Sequence, residues 1–369
     1  MIDRRLFLHM NWWLLGLTAM LFCFGALNLY SASTLRAEDG LILDVYFNRQ
    51  MIWGGISLAA MLGFMLVDYR HFKSAGPVFY GLAVFLLVCV AVFGKTISGS
   101  TRWLDLGLFN FQPTELAKIA VLVVGARMVS GVPERLGLWN LCKIVAMGFV
   151  PAALIAKQPD LGSALSIMLI LAGIILYKGL TSTLFRVLAV LIPGVLPFGW
   201  FFLYDYQKQR ILTFLDPNSD PLGAGYHVIQ SQIAIGSGGF WGKGFMQGSQ
   251  SQLRFLPEKH TDFAFAVFGE EWGLVGSVVL LSLFSAFLYQ MYAVALEAKD
   301  EFGSCLAVGV FFYFFWQILI NMGMTLGIMP VVGIPLPFIS YGGSASVVNF
   351  CMIGMVLNVG MRRFVFKKN

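Results

Sequence analysis

Apolar runs long enough to cross a bilayer recur along the chain, at 12–32, 50–67, 77–93, 113–130, 138–156, 161–177, 185–203, 270–293, 303–325 and 344–362. About 20 apolar residues in a helix cross the ~30 Å hydrocarbon core, so each run predicts a membrane helix. A transmembrane β-barrel would instead show weaker alternating segments of about ten residues, and none is present. The pattern predicts an all-α polytopic membrane protein of about ten helices, a single membrane domain over 1–369 with no soluble domain. Between the seventh and eighth runs lies 204–262, a polar, Gly-rich stretch. Long loops inside a compact protein are usually functional or disordered. This one holds too many aromatic and aliphatic residues for a disordered linker, so an ordered functional loop is expected there.

Composition agrees: the chain is 58% hydrophobic and 12% charged, against roughly 25% charged in soluble domains. The first run is longer than a signal-peptide core, so Ser31, Ala32 and Ser33 are not expected to be a cleavage site. The five cysteines lie in or near apolar runs with no CxxC pair, which reads as small buried hydrophobes rather than a disulfide framework. The net charge of +6 follows topology. With both termini cytoplasmic, inner segments hold thirteen Lys and Arg and the short outer loops five, namely Arg36, Arg49, Lys95, Arg102 and Lys157. The positive-inside rule then puts both ends inside and 94–112, 204–262 and 326–343 outside. No internal repeat is evident, and no basic aromatic stripe suggests nucleic acid.

The polar residues that interrupt this pattern cluster at the outer ends of the spans. Gln112-Pro113-Thr-Glu115-Leu-Ala-Lys118 opens the fourth. Pro113 suits a first helical position, Glu115 the first turn, where the dipole favours an anion, and Lys118 the same face. The two residues are either a structural ion pair facing the bundle or a polar wall of a substrate cavity, with Lys118 offered to a phosphate. Lys157-Gln-Pro159-Asp160-Leu-Gly162 opens the sixth span in the same manner, and Asp160 is either an ordinary helix-start anion or a second carboxylate of that cavity. Arg102 and Trp103 are either interfacial belt residues or sugar and phosphate contacts. Within the loop, Arg210 precedes an apolar turn. The Gly-rich 236–244 stretch has no Ser or Thr after Lys243, so it is not a Walker loop. Phe255-Leu-Pro-Glu-Lys-His-Thr-Asp262 ends the loop with four titratable groups. Asp262 or Thr261 is either an N-cap or, for Asp262, a partly desolvated carboxylate able to act as a general base. Lys259 and His260 beside it are candidate substrate contacts. His227 and His260 have no partner at zinc spacing. The apolar Gly- and Pro-rich segment 321–346 is either a simple outer loop or a re-entrant, cavity-lining path, since irregular backbone is tolerated at membrane depth only where it lines a cavity or is buried in protein.

From the first span to Arg363 the chain resembles the SEDS family (shape, elongation, division and sporulation) of membrane glycosyltransferases that polymerise lipid II into peptidoglycan. The residues carrying this are Pro330-Val-Val-Gly-Ile-Pro-Leu-Pro-Phe-Ile-Ser-Tyr-Gly-Gly-Ser344, Lys157–Gly162, Asp220-Pro-Leu-Gly-Ala-Gly-Tyr-His227 and Ser249–Asp262. They are closer to RodA-like than to FtsW-like members. The resemblance implies ten helices with a large extracytoplasmic loop between the seventh and eighth, in the bacterial cytoplasmic membrane. It implies Asp262 as the essential carboxylate and Arg102, Trp103, Glu115, Lys118 and Asp160 as residues of an outward-facing cavity. It also implies a role in cell elongation and rod shape, with a class B penicillin-binding protein and other elongation-complex membrane proteins as partners.

The expected chemistry joins lipid II to a nascent glycan still carried on undecaprenyl pyrophosphate. The GlcNAc 4-hydroxyl attacks, α-linked pyrophosphate leaves and a β-1,4 bond forms. A single inversion needs one base, not the second carboxylate of retention; Asp262 is that base. Lys118, Arg102 and Arg210 are candidates to stabilise the leaving charge. A divalent cation, Mg or Mn, could share that task, though no ligand set identifies one. The rival activities are a lipid II flippase and a non-catalytic scaffold. Clustering of polar groups on the outer half favours catalysis over transport, and a scaffold has no use for four ionisable residues at one face.

Overall fold

The chain forms α1 (Trp12–Ser33), β1 (Thr34–Ala37), β2 (Gly40–Leu43), α2 (Val45–Leu66), α3 (Tyr69–Phe93), β3 (Lys95–Ile97), β4 (Ser100–Asp105), β5 (Asn110–Phe111), α4 (Pro113–Ser130), α5 (Leu138–Lys157), α6 (Leu161–Lys178) and α7 (Ser182–Val195). There follow α8 (Asp205–Leu215), α9 (Ala224–Gly238), α10 (Ser249–Gln252), α11 (Ala264–Leu296), α12 (Glu301–Thr325) and α13 (Gly343–Met361). This computed structural model describes residues 9–363 except 38–39, 44, 98–99, 106–109, 221–222, 254 and 257. Short polar residues set several helix starts by taking up orphan amides. Asn11 accepts from Leu14 N, Asp68 from Arg70 N, Asp160 from Ser163 N and Asp300 from Gly303 N. Pro113 stands at the first position of α4.

Eight helices, α1–α3, α5, α6 and α11–α13, are long and apolar enough to cross a membrane. The other two of the predicted ten are α4, which has the length but carries Glu115, Lys118 and Arg127, and α7, which continues as a 3-10 stretch through Phe202. Three helices start earlier than the apolar pattern suggests: α2 at Val45, α3 at Tyr69 and α11 at Ala264. In α3 the Asp68 cap keeps the polar first turn helical, and Pro77 sits inside the helix rather than at its head. The described residues of the 204–262 segment hold α8, α9, α10 and a 3-10 turn at Pro217–Ser219.

Burial ranks the helices. The apolar windows of α13 and α12 are 83% and 67% buried, against 22–33% for α1, α2, α3, α5 and α11. The first two are therefore the axis of the bundle, and the others turn side chains such as Phe85, Val92, Phe149 and Val279 outward. Lipid is as apolar as these side chains, so close packing rather than water exclusion holds such helices together. At the centre, Phe338 packs edge-on against Phe287 and Phe350 and stacks on Phe314.

Two irregular stretches are buried, as membrane depth requires. Between α12 and α13 the chain has no regular structure, yet Val332, Ile334, Leu336, Phe338 and Ile339 are buried. This segment is thus a path inside the protein, not a simple loop. Helix α11 breaks at Gly273, whose φ of 64° and ψ of −160° suit only glycine. The Gly-rich stretch covers the break: Leu274 N and Val275 N donate to Gly239 O and Phe240 O, while Lys243 N and Gly244 N donate to Glu270 O and Glu271 O. At the opposite end of the bundle, ion pairs Lys178–Glu301, Arg362–Asp68 and Arg363–Glu297 tie the helix ends together.

Candidate active site

Asp262 stands in a turn immediately before α11. The N-cap position falls on Phe263, and the Thr261 hydroxyl donates to Glu258 Oε2 (3.1 Å) rather than capping. Neither Asp262 nor Thr261 is therefore the N-cap residue. The turn is held from outside, since Asn321 Nδ2 donates to Asp262 O (3.0 Å), Ser340 Oγ to Thr261 O (2.6 Å) and Tyr341 N to His260 O (2.7 Å).

The buried path 331–334 gathers several of the sequence candidates. Gly333 has φ +76°, and a Cβ there would lie 3.5 Å from Asp262 Oδ2. Arg210 in α8 donates through Nη1 to Val331 O (3.0 Å). The start of α6 meets the same path: a Cβ on Gly162 would lie 2.6 Å from Val332 O. Two residues earlier, Asp160 is buried and caps α6. Asp262, Arg210 and Gly162 come from three separate stretches of chain and approach one segment, with Asp160 two residues before Gly162.

Helix α12 connects this group to the other pair. Tyr313, Gln317, Asn321 and Thr325 are all buried at intervals of four, so they share one face. Lys118 Nζ lies 5.7 Å from the centre of the Tyr313 ring and 2.7 Å from Glu115 Oε1. The Tyr313 hydroxyl donates to Asn349 Oδ1 (2.7 Å). Eight residues of helix separate Tyr313 from Asn321, roughly 12 Å along the axis. Glu115 and Lys118 are thus the buried ion pair, and a substrate phosphate would have to share Lys118 with Glu115, whose Oε2 has no hydrogen-bond partner among the described residues.

The remaining candidates differ in what they touch. Lys259 is buried and donates to Ser251 O (2.8 Å), which binds the turn to α10. The His260 ring lies 4.8 Å from that of Tyr46. Trp103 is half-buried on β4, opposite Lys95 in a three-stranded antiparallel sheet that packs near α4. The side chain of Arg102 lies outside the described residues. His227 stacks on Phe263, next to Asp262, and burial pushes its imidazole below the ordinary value despite the Glu258 and Asp220 charges.

Several polar residues of this region were not legible as a group in the sequence. Glu270 and Glu271 are fully buried within α11. Glu270 accepts from Lys243 Nζ (2.7 Å), Ser249 Oγ (3.2 Å), Gln250 N (3.0 Å) and Ser251 N (3.3 Å), and Ser31 Oγ donates to Glu271. Two adjacent carboxylates inside an apolar run are costly unless satisfied, and that signal was available. The apolar pattern, however, starts the span at 270 and so leaves them at its edge. Asn321 and Ser340 carry no such signal, because each is a single uncharged polar residue, Asn321 in α12 and Ser340 in the irregular stretch after it.

A polytopic helical bundle with carboxylates and cations collected at one end defines a class of integral membrane protein, and its relatives narrow the class. The chain matches the FTSW_RODA_SPOVE profile of cell cycle proteins over residues 12–364 and belongs to that family. It is 42% identical over 351 residues, 95% of each chain, to the peptidoglycan glycosyltransferase MrdB of Escherichia coli strain K12. It is 38% identical over 363 residues to a probable peptidoglycan glycosyltransferase FtsW of Geobacter metallireducens, covering 95% of this chain and 94% of that one. Among solved structures it is similar to the rod shape determining protein RodA of Thermus thermophilus, with a TM-score of 0.72 at 28% identity over 97% of this chain and 98% of that one. A second, described as "Structural coordination of polymerization and crosslinking by a peptidoglycan synthase complex", gives 0.82 at 30% identity over 96% and 98%.

Proposed function

We propose that this protein is a peptidoglycan glycosyltransferase of the cell-elongation machinery, extending β-1,4 glycan strands from lipid II with Asp262 as general base. The observation that carries it is the approach of Asp262 and Arg210 to the 331–334 path, beside the start of α6 that bears Asp160, in a chain whose relatives bear that name. The GlcNAc 4-hydroxyl oxygen bonds to C1 of the terminal MurNAc, its proton passes to the Asp262 carboxylate, and the C1–O bond to undecaprenyl pyrophosphate breaks. Inversion at one centre needs this one base. The departing pyrophosphate draws on nearby cations, with Arg210 and Lys118 supplying them and Arg102 a third candidate. Trp103, Glu115 and Asp160 would line the sugar and pyrophosphate path. Lys259 and His260 act closer to the turn itself, Lys259 by holding it to Ser251.

Among the described residues no group of three His, Cys, Asp or Glu side chains is arranged to hold a metal ion. We further propose an inner-membrane orientation with both termini cytoplasmic and 204–262 extracytoplasmic, so that lipid tails enter laterally. A class B penicillin-binding protein would be the crosslinking partner, as the synthase-complex neighbour suggests.

The test is polymerisation of purified lipid II by the reconstituted protein, with and without that partner. Asp262→Asn is expected to lower the rate by at least ~10²-fold, the low end for loss of a general base. Glycan strands formed equally by wild type and a folded Asp262→Asn protein would remove Asp262 as the base. No strands from either, with partner and divalent cation supplied, would favour lipid transport.

A further inference from the structure

The turn that carries Asp262 is held partly from within and partly by other elements, Lys259 tying it to Ser251 O. Inside it, Thr261 N and Phe263 N both donate to Glu258 O (3.1 and 3.3 Å), and Glu258 itself sits at φ +47°. Those bonds fix neither the height nor the tilt of Asp262 relative to the rest of the protein. Three successive carbonyl oxygens, of His260, Thr261 and Asp262, are instead each taken by a donor from the 321–341 stretch.

Two of those donors are side chains. Asn321 is fully buried and uses Nδ2 twice, toward Asp262 O (3.0 Å) and Ile334 O (2.8 Å). It thereby spans the gap between the turn and the path bearing Gly333, the residue against which the Asp262 carboxylate lies. Ser340 is buried too, accepting from Leu336 N (2.9 Å) while donating to Thr261 O (2.6 Å). Each side chain bridges the turn and the buried path, so together they set the separation between the two.

We propose that Asn321 and Ser340 are positioning residues, holding the backbone at 261–262 so that the Asp262 carboxylate stands over Gly333 at the distance the reaction needs. This rests on the assignment of Asp262 as base. Neither side chain is required to touch substrate. The cost of losing one falls on the chemical step, because small displacements of a reacting group cost orders of magnitude in rate.

The experiment compares full-length reconstituted wild type, Asn321→Leu, Ser340→Ala, Ser340→Thr and Asp262→Asn in lipid II polymerisation across pH, with thermal unfolding as a check on folding. Asn321→Leu is expected to lower kcat ~10- to 100-fold. Its KM for lipid II should stay within about twofold, the signature of an interaction realised in the transition state. The acid limb of kcat should stay at the wild-type pH, since the base is the same group and only its placement has changed. Ser340→Ala should lower kcat less, and Ser340→Thr, which keeps the hydroxyl, should restore it. A folded Asn321→Leu protein with wild-type kcat, or one whose KM alone rises, overturns the proposal. If Asn321→Leu does not fold, Ser340→Ala decides: a kcat deficit reversed by threonine supports the proposal, and an unchanged kcat overturns it. Activity surviving in Asp262→Asn is a separate result, removing the base assignment and the proposal built on it.

Discussion

At the scale of single residues, charged side chains beside the proposed site are buried only in company. Glu115 and Lys118 are both buried, and each is the other's counter-ion. Removing one partner strands a charge, which costs ~3–5 kcal/mol, whereas replacing both with apolar residues of similar volume is far milder. Lys118→Met alone should therefore lower the thermal unfolding temperature in detergent more than Lys118→Met combined with Glu115→Leu. Equal or additive losses in that double-mutant cycle would mean the pair is not coupled. The residues themselves, their spacing and their place in the first turn of a Pro-started helix were all readable in the sequence. That Lys118 also faces Tyr313 was not, because 195 positions separate the two and only packing of α4 against α12 brings them together.

At the scale of elements, the broken helix α11 is the least expected feature. Its hydropathy is continuous, yet it carries two buried carboxylates and a residue that can only be glycine. A Cβ on Gly273 would lie 2.3 Å from Gly242 N in addition to the positive φ. Gly273→Ala is thus expected to destabilise by at least ~1–3 kcal/mol, the usual cost of such backbone strain. It should also loosen the 236–248 stretch, seen as faster proteolysis there and a lower unfolding temperature. An alanine variant with unchanged protease resistance would mean the break is not what holds that stretch. Element starts show what pattern can and cannot locate. Pro113 marks α4 correctly because a missing N–H suits a first turn. The apolar run at 77–93 starts late, because α3 already begins at Tyr69 under the Asp68 cap.

At the scale of the whole molecule, the charged groups divide between the two ends of the bundle. The starts of α4, α6 and α11 bring Glu115, Lys118, Asp160 and Asp262 to one end, while Asp68, Lys178, Glu297, Glu301, Arg362 and Arg363 pair at the other. The proposed orientation is open to cysteine labelling in a background cleared of the five native cysteines. Gln209→Cys in the loop should react with an impermeant maleimide from the periplasmic side. Ser74→Cys, in the first turns of α3, should react only after the inner membrane is opened. The reverse pattern would invert the topology and move the proposed site to the cytoplasm.

Hydropathy and charge order along the chain determined that this is a helical membrane protein, roughly where its spans lie, and which span ends carry carboxylates, while α2, α3 and α11 start earlier than the apolar runs. These are one-dimensional properties, set by the length of an apolar run and the cost of a charge within it. The tertiary structure alone decided that Asp262 meets Gly333, Arg210 shares the Val331–Ile334 path, and Asn321 and Ser340 brace the turn. Those relations depend on hydrogen bonds to backbone carbonyls, which every residue possesses. Their specificity therefore lies in where the packed helices bring the donors, and a sequence read one residue at a time carries no mark of it.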